Sequence, residues 1–201
     1  MKYPDDFIDK VICGDCLEVM KDIPDNSVDL VLTDPPYPNY HTDKWIYTSI
    51  DFLMSFSCRQ LIFWSAILNF PLDYTAIHIW DKKINAAASS EYERIFERNG
   101  EKLYRIFNHY LINSTIAAKY NRDVWTKHPS QKPIALIGEL ILKYSKQNDL
   151  ILDPFLGSGT TAVACKQLNR HFIGIEINPD YCKIARERLM GVPESLFKEV
   201  T

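Results

Sequence analysis

The feature that most constrains the fold is a glycine-containing turn set between a strand and a helix. Residues 150–152 are apolar and predict a buried strand, residues 157–159 (Gly-Ser-Gly) predict a tight turn, and residues 160–168 predict a helix. A second apolar run, residues 171–177, follows the helix and carries Glu176, 17 residues beyond the turn. Parallel strands need such a crossover helix, so the segment predicts a βαβ unit of a parallel sheet.

The chemistry of this unit favours a nucleoside ligand. Glycines let a ligand approach the backbone closely, and a helix N-terminus adds a partial positive charge. A carboxylate about 20 residues further on, here Glu176, is placed to accept hydrogen bonds from ribose hydroxyls. The turn lacks the three-glycine pattern of dinucleotide enzymes, which favours a cofactor without pyrophosphate. The alternative is a structural turn with a solvated glutamate.

A rigid acidic loop follows another predicted strand. Residues 28–32 predict this strand, and Asp34-Pro35-Pro36-Tyr37 comes shortly after it. Two consecutive prolines fix φ and remove two N–H donors, which leaves rigidly held carbonyls nearby. The Asp34 carboxylate and the Pro35 carbonyl can together accept the N–H groups of an aromatic amine, and Tyr37 offers a ring for a base turned out of its stack. The alternative is a stiff Pro-Pro turn with an aspartate cap.

The rest of the chain continues the alternation of strands and helices. Residues 91–97 fit either a strand or a helix, and residues 102–127 show no clear period. Further strands are predicted at residues 11–12, 60–64 and 74–80, and further helices at residues 17–21, 45–57, 134–145 and 179–189. This alternation predicts one α/β domain over residues 1–201, with a parallel sheet covered on both faces.

The composition excludes several classes of protein. The chain is 46% hydrophobic and 24% charged, as is typical of globular proteins. It has no apolar run of about 18 residues, so no membrane span is expected. Residues 1–6 are polar and acidic and do not resemble a signal peptide, so we expect a cytoplasmic protein. Cys13 and Cys16 form a C-x-x-C without a second pair at zinc-ligand spacing, so we expect reduced thiols and no metal.

Positive charge is concentrated in the middle of the chain. Between Lys82 and Lys127 nine basic residues accompany five acidic ones, a net charge of +4 in a chain whose net charge is −3. A basic segment on an acidic frame indicates a surface that faces a polyanion. The alternative is a solvated helix face of mixed charge.

Five sequence elements occur in a fixed order along the chain. They are Gly14-Asp15-Cys16-Leu17, Asp34-Pro35-Pro36-Tyr37, His128-Pro129-Ser130-Gln131-Lys132-Pro133, residues 153–161 (Asp-Pro-Phe-Leu-Gly-Ser-Gly-Thr-Thr) and residues 174–178 (Gly-Ile-Glu-Ile-Asn). Together they resemble the family of DNA amino-methyltransferases that modify adenine at N6 or cytosine at N4. The loop at Asp34 precedes the glycine loop, which is the circularly permuted order of the family's β class.

The resemblance implies a Rossmann-like class I methyltransferase fold, with a seven-stranded, mostly parallel sheet and one antiparallel strand. It implies S-adenosyl-L-methionine as cofactor and S-adenosyl-L-homocysteine as product, and direct in-line transfer without a covalent adduct or a metal. Asp15 would lie near the cofactor's adenine and Glu176 at its ribose. The catalytic residues it implies are Asp34, Pro35, Pro36 and Tyr37. The cofactor-binding residues it implies are Asp15, Cys16, Asp34, His128, Ser130, Gln131, Lys132, Asp153, Pro154, Phe155, Gly157, Ser158, Gly159, Thr160, Thr161, Glu176, Ile177 and Asn178.

Aspartate at the first position of the catalytic tetrapeptide is, in this family, more often associated with adenine, and serine with cytosine. The resemblance therefore favours adenine N6 in DNA, as in a restriction–modification system, with cytosine N4 as the alternative. Less favoured alternatives are an RNA or protein-glutamine methyltransferase and a non-catalytic DNA-binding subunit. Comparison of methyl transfer to duplex DNA, RNA and peptide distinguishes these readings.

The segment available for recognising a DNA sequence is short. In this family the target-recognition region lies between the catalytic and cofactor motifs, here roughly residues 82–127. So short a region suggests a short site, relaxed specificity or help from a second subunit, and relatives of the β class are often dimers. The basic residues of this region are expected to contact DNA phosphates, namely Lys82, Lys83, Arg94, Arg98 and Arg105.

Overall fold

The computed structural model describes residues 1–37, 44–83, 91–110, 126 and 130–192. Its strands are β1 (Lys10–Cys13), β2 (Leu30–Thr33), β3 (Arg59–Trp64), β4 (Ala76–Asp81), β5 (Tyr92–Arg98), β6 (Ile106–Asn108), β7 (Leu150–Asp153) and β8 (His171–Glu176). They form one sheet in the order β1-β8-β7-β2-β3-β5-β4-β6.

Helices cover both faces of this sheet. They are α1 (Cys16–Val19), α2 (Lys44–Phe52), α3 (Ile134–Tyr144), α4 (Thr160–Gln167) and α5 (Pro179–Met190), and one-turn 3-10 helices follow α1 and α2. One hydrophobic core joins the sheet to α3, α4 and α5, and a second joins its other face to α1 and the two 3-10 turns. Within the described ranges, no helix has the length and apolar character needed to cross a bilayer.

Strand β2 shows why the central strands read as continuous apolar runs. Leu30 and Leu32 point into one core and Val31 points into the other, and all three side chains are fully buried. A strand buried on both faces has no polar face to alternate with, so its sequence is apolar throughout. The prediction of an α/β fold with a mostly parallel, doubly covered sheet is confirmed.

One strand of the described sheet runs antiparallel to the rest. β5 pairs antiparallel with both β3 and β4, whereas the other pairings are parallel. The ambiguous residues 91–97 are therefore a strand, and the expected single antiparallel strand is confirmed. The sheet has eight strands rather than seven because the three-residue β6 adds to its edge beside β4. So short a strand, in a segment without a clear period, gives little sequence signal.

The sheet order brings together two loops that are far apart in sequence. β2 and β7 are neighbours, so the loop after Thr33 and the loop after Asp153 leave the same edge of the sheet. The chain continues from β7 to β8 on one side and from β2 to β3 on the other. Such a reversal of strand order opens a crevice at the carboxyl ends of the strands, where ligands bind in open α/β sheets.

Gly159 closes the turn between β7 and α4. Its φ is +86°, and a Cβ added there would lie 2.7 Å from the Cβ of Ala185. Residues with side chains rarely adopt this conformation, and glycine also lets α4 approach α5 closely. The turn therefore depends on glycine for both backbone conformation and packing.

We expect Gly159→Ala to lower the free energy of unfolding by about 2–4 kcal/mol, through left-handed strain and overpacking. Gly138→Ala in α3 is the matched control, because the nearest atom to its added Cβ is Leu168 Cδ1 at 3.9 Å. That variant should gain about 0.5–1 kcal/mol from the better helix propensity of alanine. Urea unfolding of both variants checks the pair, and equal effects of the same sign would refute this packing role for Gly159.

Candidate active site

The Asp34 loop (residues 34–37) begins where β2 ends. Asp34 is partly buried, with a side chain 22% exposed, and Pro35 is buried. Tyr37 donates from its hydroxyl to Asp34 Oδ1 at 3.2 Å, and its ring meets the Trp64 ring edge-on at 5.4 Å. The loop is thus held by its own hydrogen bond and by an aromatic contact with β3.

A buried carboxylate joins this loop to the glycine loop. Asp153, at the end of β7, accepts a hydrogen bond from the Thr33 hydroxyl at 2.8 Å and another from the Thr161 hydroxyl at 2.6 Å. It also accepts from the backbone N–H of Phe155 at 3.1 Å. Burial raises the pKa of Asp153 to about 6, although these hydrogen bonds act in the opposite direction.

Glu176 lies across the glycine loop at the end of β8. Its Oε2 accepts from the backbone N–H of Gly157 at 2.8 Å, and its Oε1 accepts from the N–H of Asn178 at 2.7 Å. Gly157 has a φ of +55°, which turns its N–H toward this carboxylate. Both oxygens are therefore oriented by backbone donors, as a carboxylate that binds a diol requires.

The first motif reaches the same region through β1. The backbone N–H of Gly14 donates to the Glu176 carbonyl at 3.0 Å, and the Asp15 carboxylate caps α1 by accepting from Leu17 N at 2.9 Å. Gly14 and Cys16 line the cavity at this edge, whereas Asp15 between them does not. Asp15 thus positions the turn that forms the cavity wall.

Lys132 lies against the catalytic-type carboxylate. Its ammonium contacts Asp34 Oδ2 and lies 3.3 Å from Glu93 Oε2, and Glu93 Oε1 pairs with Lys82 Nζ at 2.8 Å. The resemblance assigned Lys132 to cofactor binding. In the structure its charge is directed to the two carboxylates.

The neighbouring residues of that motif have separate roles. Gln131 is buried, and its Oε1 accepts from the backbone N–H of Thr126 at 3.1 Å and from its hydroxyl at 2.6 Å. Ser130 is exposed and lines the cavity. His128, predicted to bind the cofactor, lies outside the described residues.

Burial and neighbouring charges shift the pKa values of this cluster. Burial raises the pKa of Asp34, Glu93 raises it further, and Lys132 lowers it only in part. Burial disfavours the charged form of Lys132, but Asp34 and Glu93 outweigh this and raise its pKa. Burial likewise disfavours ionised Glu93, but Lys132 and Lys82 outweigh it and lower the pKa of Glu93. The charged forms of Lys132 and Glu93 are thus favoured, whereas the ionised form of Asp34 is disfavoured.

The loops enclose a cavity of about 880 Å³. All four predicted catalytic residues and most predicted cofactor residues line it. Those lining residues are Asp34, Pro35, Pro36, Tyr37, Cys16, Ser130, Gln131, Lys132, Asp153, Pro154, Phe155, Gly157, Ser158, Thr160, Thr161, Glu176, Ile177 and Asn178. Of the predicted catalytic and cofactor-binding residues that the structure describes, Asp15 and Gly159 do not line the cavity. Each stabilises a turn beside it.

Sequence reasoning missed several lining residues. Phe63, Trp80 and Glu93 are the most informative, because they come from β3, β4 and β5 rather than from the motifs. Phe63 and Trp80 lie near the carboxyl ends of parallel strands, where residues of open α/β sheets contact ligands. Their position was therefore a usable signal. Glu93 gave none, because it is near the beginning of the antiparallel strand and the direction of β5 was not known.

The structure corrects this prediction for Arg94 and Arg98, two of the five basic residues that were expected to face DNA phosphates. Arg94 donates to the carbonyls of Ser65 and Leu68, and Arg98 donates to Asp73 O at 2.8 Å and to Gln60 Oε1 at 2.7 Å. These guanidinium groups hold loops to the sheet, and Arg98 is only 9% exposed.

The remaining three basic residues differ in exposure. Lys82 is buried with Glu93, so it is not a phosphate ligand either. Arg105 is half-buried, and its charge acts on His78 and Tyr144 inside the protein. Lys83 alone of the five has an exposed side chain, which pairs with Asp81 at 2.7 Å. The prediction therefore remains open for Lys83.

Comparison with known proteins agrees with this geometry. A family model for DNA methylases matches residues 72–187. Type II methyltransferase M2.DpnII of Streptococcus pneumoniae is 43% identical over 110 residues, which cover 49% of this chain and 41% of that relative. Type II methyltransferase M.BglII of Bacillus subtilis is 28% identical over 263 residues, covering 96% of this chain and 72% of the relative. The chain thus spans less than half the length of M2.DpnII.

A solved structure extends the similarity to the whole fold. The complex of M1.HpyAVI with SAM superposes with a TM-score of 0.64 at 25% identity, and the match covers 90% of this chain and 98% of that one. The sheet order and the cavity at its switch point define a Rossmann-like class I methyltransferase fold. With the family model matching more than half of its residues, the chain belongs to the DNA methylase family. The resemblance predicted from the motifs is confirmed.

We expect Asp153→Asn to make the protein relatively more stable as pH rises. The folded state of the native chain binds the Asp153 proton more tightly than the unfolded state, because its pKa is raised to about 6. The stability of the native chain therefore falls as pH rises from the unfolded-state pKa of Asp153 to its folded-state pKa. Asparagine cannot ionise, so it removes this loss. Unfolding free energies at about pH 4 and about pH 7.5 should show the variant gaining about 2–3 kcal/mol on the native chain.

Asp5→Asn is the control for that measurement, because Asp5 is exposed. The difference in unfolding free energy between Asp5→Asn and the native chain should be the same at both pH values. If Asp153→Asn behaves like this control, the buried carboxylate is not the source of the pH dependence.

Proposed function

We propose that the chain transfers the methyl group of S-adenosyl-L-methionine to the exocyclic N6 amine of adenine in DNA. The observation that carries the proposal is that the Asp34 loop and the oriented carboxylate of Glu176 open into one cavity. An acceptor for an amine and an acceptor for a nucleoside cofactor thus share a single space. The type II methyltransferases among the relatives, and the SAM complex of M1.HpyAVI, support the same activity.

The charges of the cavity fit this cofactor. Carboxylates outnumber ammonium groups in its lining, which contains Asp34, Glu93, Asp153 and Glu176 against Lys82 and Lys132. An excess of negative charge favours a ligand that carries a sulfonium and an ammonium group. Glu176 would accept the ribose hydroxyls, and residues 157–161 would hold the methionine portion. The described residues contain no group of three or more potential metal ligands, and the proposed reaction needs none.

When bound, the cofactor supplies an electrophilic methyl group on its sulfonium. The task of the chain is to make the amine nucleophilic, because its lone pair is conjugated with the ring of the base. Asp34 and the Pro35 carbonyl would accept its two N–H groups, which favours a pyramidal nitrogen with an available lone pair. Tyr37, held by Trp64, would provide the surface on which the flipped base lies. Rigid acceptors at the place where charge develops need no rearrangement during the reaction.

Adenine is the proposed base because the catalytic tetrapeptide begins with Asp34, the residue that the family more often uses for adenine. Cytosine presents a similar amine beside a ring nitrogen and is the alternative. The two products differ in the modified nucleoside, so identification of that nucleoside in the reacted DNA distinguishes the two bases.

Recognition of DNA is proposed to rest on residues 82–127, aided by a second copy of the chain. Within this range β5 and β6 belong to the sheet, which leaves only the connecting segments to contact bases. The alignment with M.BglII extends over 263 positions, more than the 201 residues of this chain, so that relative carries inserted segments. The mass of the protein in solution, alone and with DNA, tests the proposed dimer.

We expect Asp34→Asn and Glu176→Gln to separate chemistry from cofactor binding. Asp34→Asn should abolish methyl transfer and weaken SAM binding less than Glu176→Gln does. Glu176→Gln should weaken SAM binding roughly 10- to 100-fold, because it removes an acceptor of charged hydrogen bonds. Calorimetry with SAM measures binding, and mass spectrometry of digested DNA measures N6-methyladenine. N4-methylcytosine as the product would contradict the assignment of adenine as the methylated base. Full activity of Asp34→Asn would contradict the role of Asp34 in holding the amine.

We also expect two basic residues to behave differently. Lys83→Met should lower the slope of log binding constant against log salt by about 1 and leave stability unchanged. Arg98→Met should instead lower the free energy of unfolding by about 2–3 kcal/mol, because it leaves Gln60 Oε1 buried without its donor. Binding titrations with duplex DNA at several salt concentrations, and urea unfolding, check both. A reduced salt slope in Arg98→Met with unchanged stability would contradict the structural role.

A further inference from the structure

We propose that Lys132 and Glu93 are positioning residues for Asp34, and that Glu93 receives the Lys132 ammonium when the substrate amine engages Asp34. The inference rests on the proposed function. It assigns a role to one residue that the resemblance gave to the cofactor and to another that no motif contains.

The geometry forms a chain of alternating charges. Lys82 Nζ lies 2.8 Å from Glu93 Oε1, Glu93 Oε2 lies 3.3 Å from Lys132 Nζ, and Lys132 contacts Asp34 Oδ2. Lys132 is 9% exposed, and the side chain of Glu93 is 15% exposed. The Lys132 ammonium thus lies between two carboxylates, only one of which belongs to the catalytic loop.

Glu93 has room to accept a further hydrogen bond. Its Oε2 is buried and faces Lys132 Nζ at 3.3 Å, and among the described residues it has no well-aligned donor. A shift of the ammonium toward Glu93 would shorten this contact and strengthen the hydrogen bond. Lys82 holds Glu93 from the other side and leaves this oxygen directed at Lys132.

The catalytic proposal creates a need for such movement. Asp34 Oδ1 accepts from Tyr37 and Oδ2 contacts Lys132, so each oxygen already has one partner. A carboxylate oxygen can accept a second hydrogen bond, but a substrate amine that approaches Oδ2 competes with the Lys132 ammonium for this oxygen. The Lys132 ammonium lies 5.1 Å from the centre of the Phe63 ring and 6.0 Å from that of Trp80. In these apolar surroundings a displaced ammonium needs a second carboxylate, and Glu93 provides it.

The two residues act on Asp34 with opposite sign. The groups that face Asp34 are Tyr37 on its own loop, Lys132, Glu93 on β5 and Asp153 on β7. Removal of the Lys132 charge should raise the pKa of Asp34 further, and removal of the Glu93 charge should lower it. A purely structural role for the two residues would not produce opposite shifts.

The first test uses the ligand-free protein and is independent of any activity. Carboxyl ¹³C NMR of aspartate-labelled protein follows the titration of Asp34, whose signal is identified by its loss in Asp34→Asn. Lys132→Met should move the midpoint up, and Glu93→Gln should move it down, each by more than about one pH unit. Lys132→Arg should stay near the native value, and Lys143→Met, an exposed lysine of α3, should not move it. If Lys132→Met does not fold, Lys132→Gln takes its place.

The second test measures SAM binding and methyl transfer to unmodified genomic DNA as a function of pH. Both variants should bind SAM within about threefold of the native chain and lose kcat/KM on the order of 10- to 100-fold, the range for one hydrogen bond to a charged group. The acid limb of the pH profile should move to higher pH in Lys132→Met and to lower pH in Glu93→Gln. Unshifted or parallel titrations of Asp34, or a loss of SAM affinity above tenfold in Lys132→Met, would overturn the proposal. A native chain that methylates no DNA would overturn the proposed function, whereas the NMR titrations would still test the charge coupling.

Discussion

The arrangement of the site depends on one buried carboxylate. Asp153 accepts hydrogen bonds from Thr33 on one side and from Thr161 on the other, and so ties the end of β2 to the glycine loop and to α4. These two hydroxyl groups belong to segments more than 120 residues apart in sequence, yet β2 and β7 are neighbours in the sheet. Burying the carboxylate is unfavourable, as its raised pKa shows, and the hydrogen bonds offset only part of this. The gain is a fixed spacing between the loop that would hold the amine and the loop that would hold the cofactor.

That spacing explains why the permuted order of the motifs does not disturb the site. What the chemistry needs is that β2 and β7 end side by side, and the strand order provides this wherever the chain begins. The electrostatics follow from the same packing. Asp34 is drawn into a partly buried position beside Glu93, and Lys132 compensates two carboxylates with one ammonium. A carboxylate that is only partly neutralised is well suited to accept hydrogen bonds from a weakly nucleophilic amine.

The sequence predicted those parts whose signal is local. The apolar runs of β2 and β7, the glycine turn and the Asp34 loop were all readable, because each depends on residues adjacent in the chain. The residues whose partners the sequence did not predict depend on contacts across the sheet. Arg94 and Arg98 look like a basic surface in sequence, but the neighbouring loops offer them carbonyl groups. Lys132 stands in a motif that resembles a cofactor element, and its ammonium lies against Asp34 and Glu93. Which partner a long charged side chain finds is decided by strand order and direction, and neither is encoded locally.

The reversed direction of β5 has a consequence for how such a chain can diversify. Because β5 runs against its neighbours, its first residues, Tyr92 and Glu93, lie at the same edge of the sheet as the end of β4, where Asp81 pairs with Tyr92. The connection from β4 to β5 therefore begins and ends beside the active site. Extra residues added to this connection would enlarge the surface offered to a substrate and leave every strand pairing intact. The fold thus separates the strands, whose pairing holds the cavity residues in place, from a connection whose length can change without refolding the core.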